Sequence, residues 1–109
     1  MNLDIQITED DNKSVAEVSG EVDVYTATKL KETLIPLAEK EDNQLIIDLT
    51  NVEYIDSTGL GIFIGALKAA EKSGSTLKLI GLNERVNRLF EITGLHEVID
   101  IEPAKREEA

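Results

Sequence analysis

The sequence predicts an α/β fold: a single domain on a mixed β-sheet that opens with an antiparallel hairpin and continues with amphipathic helices. Three observations predict it. Two apolar runs of period two, Leu3-Ile5-Ile7 and Ala16-Val18-Val22, flank the polar, turn-prone stretch Glu9-Asp10-Asp11-Asn12-Lys13, which is too short for a parallel crossover. Beyond it, helical periodicity alternates with short apolar runs, the pattern of right-handed crossovers between parallel strands. The 109 residues suffice for one core, and a chain of this size buries roughly two-thirds of the surface it exposes when unfolded.

The elements follow in order. The helix starting near Thr26 carries Ala27, Leu30, Leu34, Leu37 and Ala38 on one stripe, with Lys29, Lys31, Glu32 and Glu39 for solvent. Pro36 removes a backbone donor, so a kink or boundary is expected near it. Leu45-Ile46-Ile47-Asp48-Leu49 is a nearly continuous apolar run, the pattern of a central strand buried on both faces. A second helix follows, with Leu60, Phe63, Ile64 and Leu67 at positions i, i+3, i+4 and i+7 and Ser57 standing at its N-cap. Leu77-Lys78-Leu79-Ile80 is a further strand. Asn83 then caps a helix bearing Val86, Leu89 and Phe90, with Gly94 as its stop. Val98–Ile101 reads as a short edge strand or a final turn, and residues from about 102 to 109 as a charged, frayed tail. No repeat or linker divides residues 1–109.

Charge and composition exclude several functions. Twenty-two acidic side chains against 11 basic ones give a formal net charge of -11, which opposes phosphate-backbone contacts and hence nucleic-acid binding. Cysteine is absent, so there is no disulfide framework and no thiolate zinc site. The first residues alternate polar and apolar, unlike a signal peptide, and no run of about 18 apolar residues would span a bilayer. A soluble, cytoplasmic protein is expected, without a membrane partner.

The informative segment is Tyr54-Ile55-Asp56-Ser57-Thr58-Gly59-Leu60-Gly61, a polar turn leading straight into an apolar helix. Its plainest use is capping, because Asp and Ser both accept from unpaired helix amides. Two glycines in a helix's first turns cost about 1 kcal/mol each relative to alanine and ask for a reason. A helix start also favours an anion, so a phosphate on Ser57 would fit. The P-loop pattern is missing, since no Lys follows the glycines closely, and the dinucleotide pattern is half met. A serine hydrolase with Ser57 as nucleophile lacks the first glycine of the elbow and has only His96 as base. Metal binding lacks a calcium-loop pattern and a histidine cluster, so neither metal nor cofactor is expected. An aspartate-phosphorylated receiver domain is opposed by the opening hairpin.

The whole chain resembles the bacterial anti-sigma factor antagonists of the STAS-domain family. The resemblance is carried by Gly20-Glu21-Val22-Asp23-Val24-Tyr25-Thr26-Ala27, by Asp56 to Gly61, and by Leu89-Phe90-Glu91-Ile92-Thr93-Gly94-Leu95. It implies a STAS domain without catalytic activity whose unphosphorylated form binds an anti-sigma factor and frees a sigma factor, of the sigma-B, general-stress kind. It implies phosphorylation of Ser57 by that anti-sigma factor acting as a serine kinase, loss of binding in consequence, and resetting by a serine phosphatase of the PP2C type. It places Asp23 beside the serine, with Tyr25, Thr26, Asp56, Thr58, Gly59 and Gly61 as the phosphosite and partner-binding surroundings. Thr58 is a second candidate hydroxyl. The alternative within the family is a stressosome-like or ligand-binding STAS module.

Overall fold

A computed structural model describes residues 2–104. The elements run β1 (Leu3–Asp10), β2 (Lys13–Val22), α1 (Ala27–Ala38), β3 (Gln44–Ile55), α2 (Ser57–Lys72), β4 (Thr76–Leu82), α3 (Glu84–Ile92), a 3-10 turn over Leu95–Glu97, and β5 (Asp100–Pro103). They form one five-stranded sheet in the order β1-β2-β3-β4-β5. The first pair is antiparallel, Leu3 opposite Gly20 and Asp10 opposite Lys13. The other pairs are parallel, so the mixed sheet with its opening hairpin is as the sequence predicts.

The helices lie on one face of that sheet. Ala16, Val18, Leu45, Ile47, Leu49, Leu77 and Leu79 point into the core beneath them, together with Leu30, Leu34, Phe63 and Phe90. The Phe63 and Phe90 rings, 6.1 Å apart and tilted by 55°, join α2 to α3 in an arrangement favoured by aromatic quadrupoles. The opposite face stays open: Val15, Ile46, Asp48, Lys78 and Ile80, which alternate with the core residues, are only half-buried. The expectation that β3 is buried on both faces is therefore corrected. Period-two geometry sends Ile46 to the side that no helix covers.

The boundary expected near Pro36 is present, while the stripe of α2 and the start of the tail differ from expectation. Pro36 sits inside α1, which ends two residues later at Ala38. The missing donor leaves only the carbonyl of Glu32 without its helical bond, and Glu32 is exposed to water. In α2 the buried positions are Gly59, Leu60, Phe63, Ala66 and Ala70, with Leu67 packed against them and Ile64 turned away. At the C-terminal end, Glu102 pairs with Ile80 and Pro103 with Leu82. That corrects the tail reading for those two residues, and 105–109 lie outside the described residues.

Candidate functional site

The carboxyl ends of β2 and β3 bring the two sequence segments together. Val22 pairs with Ile55, and the Asp56 amide donates to the Val22 carbonyl at 3.0 Å. The chain then turns into α1 after β2 and into α2 after β3, so both helix starts lie on one rim.

Asp23 organises the first of them. Its Oδ1 accepts from the amides of Tyr25 at 2.8 Å and Thr26 at 3.1 Å, while Thr26 Oγ1 accepts from the Asp23 amide at 3.0 Å and donates to the Glu21 carbonyl at 2.8 Å. This is a reciprocal capping box, and the Ala27 amide reaching the Asp23 carbonyl at 2.9 Å carries the first helical turn. Asp23 is 5% exposed, and its Oδ2 has no partner among the described residues. The box holds the residues between its two ends outward: Val24 is 61% and Tyr25 80% exposed, in a chain that otherwise hides most of its large apolar groups.

The second helix start is capped by Asp56, not Ser57. Asp56 Oδ1 accepts from the Gly59 amide at 3.1 Å, and the Asp56 carbonyl takes the Leu60 amide at 3.1 Å. Ser57 is the first helical residue; the capping expectation fails because the residue before it has the same capping chemistry and the required extended backbone. A helix start leaves four amides without helical partners. Here the Asp56 amide is satisfied by Val22 and that of Gly59 by the cap, which leaves Ser57 and Thr58. Both of these residues are exposed, and the Ser57 hydroxyl has no hydrogen-bond partner among the described residues. It stands free at the positive end of the helix.

The glycines divide by cause. A Cβ on Gly59 would lie 2.4 Å from Val22 Cγ1 and 3.0 Å from Ile55 Cγ2, so glycine lets α2 press onto the end of β2. Among the described residues, no atom outside the helix's own backbone lies within 4 Å of the same position on Gly61. No internal contact explains Gly61, and its outward face is exposed.

Asp23, Tyr25, Thr26, Asp56, Ser57, Thr58, Gly59 and Gly61 thus occupy one rim. His96 does not join it, since its Nδ1 lies 3.3 Å from the Phe90 carbonyl oxygen at the far end of α3. Among the described residues no three carboxylates or histidines gather as metal ligands, and no helix is long and apolar enough to cross a membrane. The exposed Tyr54 and Val24 escaped the sequence reading as a surface feature, because apolar residues at strand and helix ends look like core in a linear pattern.

Comparison with known proteins agrees with this architecture. The model of the STAS domain matches residues 4–108. An anti-sigma-B factor antagonist of Bacillus subtilis is 48% identical over 101 residues, covering 93% of this chain and 92% of its own length. One from Listeria monocytogenes is 49% identical over 108 residues, covering 98% and 95%. Among solved structures, an anti-sigma factor antagonist from Mycobacterium paratuberculosis superposes with a TM-score of 0.83 at 26% identity, over 93% of this chain and 86% of that one. With its fold and nearly its whole length matched, the chain belongs to the STAS-domain family.

Proposed function

We propose that this protein is a cytoplasmic anti-sigma factor antagonist of the sigma-B type. It is a binding protein without catalysis of its own: unphosphorylated, it docks on an anti-sigma factor and frees the sigma factor held there. Phosphorylation of Ser57 by the anti-sigma factor, acting as a serine kinase, ends the binding, and a PP2C-type phosphatase restores it. The observation that carries this reading is the unpartnered, exposed Ser57 hydroxyl on a rim with exposed Val24 and Tyr25. The near-half identity to anti-sigma-B factor antagonists supports the choice of partner.

The energetics are sufficient. A phosphoryl group adds about -1.5 to -2 charges. The free amides of Ser57 and Thr58 receive part of it, a helix-dipole gain of up to about 1 kcal/mol at an exposed site. In a complex, the same charge is desolvated beside Asp23 and Asp56, and burying an uncompensated anion costs several kcal/mol. A hundredfold loss of affinity requires only about 2.7 kcal/mol. The open space over Gly61 permits the close approach that makes a bulky phosphate obstructive.

The test combines the purified chain with its anti-sigma factor and magnesium ATP, maps the phosphoryl group by peptide mass spectrometry, and follows complex formation in parallel. Modification at Ser57 with loss of the complex is expected. Modification at Thr58 instead, or a complex that persists after stoichiometric modification of Ser57, would refute the reading.

A further inference from the structure

The ladder between β3 and β4 ends early. Its last pair is Asp48 with Ile80, although β3 continues to Ile55. At this point Asp48 Oδ1 accepts from the Thr50 amide at 2.9 Å and from Thr50 Oγ1 at 2.6 Å. Opposite, Gly81 adopts a φ of +75°, with the position of a Cβ only 2.1 Å from Thr50 Oγ1. The two strands separate there, and β4 leads into Asn83 and α3. Asn83 Nδ2 bridges to the Val52 carbonyl at 3.1 Å, but further along β3 no strand among the described residues pairs with it on this side.

The separation leaves a cleft of about 180 Å³ lined by Tyr54, Ile55, Val86 and Leu89 with the charged Glu53 and Arg85. Tyr54 is 46% exposed. Arg85 is exposed and has no ion pair or hydrogen bond among the described residues, whereas Arg88 lies 3.9 Å from Glu84. The cleft borders the Ser57 rim directly, since Ile55 forms its wall and Asp56 follows in the chain. It is smaller than the roughly 300–1,000 Å³ typical of small-molecule pockets and has the dimensions of a site for one large side chain.

We propose that this cleft is the second half of the docking surface and receives an apolar side chain of the anti-sigma factor, with a neighbouring acidic group of that partner meeting Arg85. The inference rests on the function proposed above and assigns it a source of affinity apart from the phosphorylated residue. The Ser57 rim supplies the response to phosphorylation. The cleft supplies Tyr54 and Arg85, the aromatic and arginine types enriched among interface hot spots, and Arg85, unpaired among the described residues, selects an acidic contact within an otherwise acidic chain.

Titration of the full, unphosphorylated chain with purified anti-sigma factor tests this. Arg85→Glu and Tyr54→Ala should each raise Kd at least tenfold. Lys31→Glu, the same charge change on the exposed side of α1, should leave Kd within twofold. Urea midpoints of all variants verify the fold. If Arg85→Glu and Tyr54→Ala bind as tightly as the unaltered chain while Ser57→Asp weakens binding, the cleft proposal is overturned and the function stands. If the unaltered chain does not bind at all, the function reading falls and the cleft proposal with it.

Discussion

Replacing Gly59 and Gly61 separately by alanine should move stability in opposite directions. Both lie in α2, where exchanging an interior glycine for alanine gains up to about 1 kcal/mol in helix propensity. At Gly61 nothing opposes that gain, because no atom of the described residues outside the helix's own backbone lies within 4 Å of the new methyl. At Gly59 the methyl meets Val22 Cγ1 at 2.4 Å and Ile55 Cγ2 at 3.0 Å. Val22 is wholly buried and Ile55 nearly so, so relief requires shifting α2 away from the sheet. Overpacking of a close-packed core costs typically 1–3 kcal/mol, which exceeds the propensity gain. Gly59→Ala is therefore expected to lose up to about 2 kcal/mol, and Gly61→Ala to gain a few tenths to about 1 kcal/mol. Urea unfolding monitored by circular dichroism reads both, and each kcal/mol corresponds to a Tm shift of about 4 °C in a domain of this size. Equal stability of the two variants would refute the assignment of Gly59 to a packing role. If the proposed function holds, Gly61→Ala should nonetheless weaken association in the anti-sigma binding titration, since its methyl extends from the exposed side of the Ser57 rim.

The caps give sharper contrasts. Asp56→Ala should cost about 1 kcal/mol in urea unfolding, whereas Ser57→Ala should stay within about 0.5 kcal/mol, because only the former removes a bond, the one to the Gly59 amide. A larger loss for Ser57→Ala would return the cap to the serine. Asn83→Ala removes both the cap on the Val86 amide at 2.8 Å and the bridge to Val52, so a loss of about 2 kcal/mol is expected from a cap and one further hydrogen bond. Retention of the parent urea midpoint would show that α3 is held by Val86 and Phe90 alone. Gly81→Ala combines an unfavourable φ with collision against Thr50 and should destabilise by more than about 2 kcal/mol; a neutral result in the same assay would mean that the strands can close their gap by another path.

Much of this fold was legible in the linear pattern, and its failures have physical causes. The hairpin could be read because Leu3, Ile5 and Ile7 keep strict period two against a short polar turn, and α3 because Asn83 and Gly94 bracket it. The open face of the sheet could not: Ile46 contributes to an apolar run whether or not a helix lies above it. The core stripe of α2 was displaced toward Ala66 and Ala70, residues that pattern reading discounts for their size while Ile64 draws the eye. At the site, Asp56 and Ser57 are equally good caps on paper, and only the extended backbone at Asp56 with its bond to Gly59 decides between them. That the segments of Asp23 and Ser57 share one end of the sheet is not legible from spacing, since it depends on the register of β2 on β3, with Val22 opposite Ile55.

The mutual locking of Asp23 and Thr26 has a consequence for the speed of any encounter. Loops that order themselves on contact surrender conformational freedom at that moment, at about 1–2 kcal/mol for each residue whose backbone becomes fixed. The segment carrying Val24 and Tyr25 has its backbone fixed in advance by bonds at both ends. A partner landing on it meets a finished surface and need not wait for a rearrangement. Its arrival rate should then follow diffusion, orientation and charge, and alterations to this rim should register chiefly in how long the partner remains.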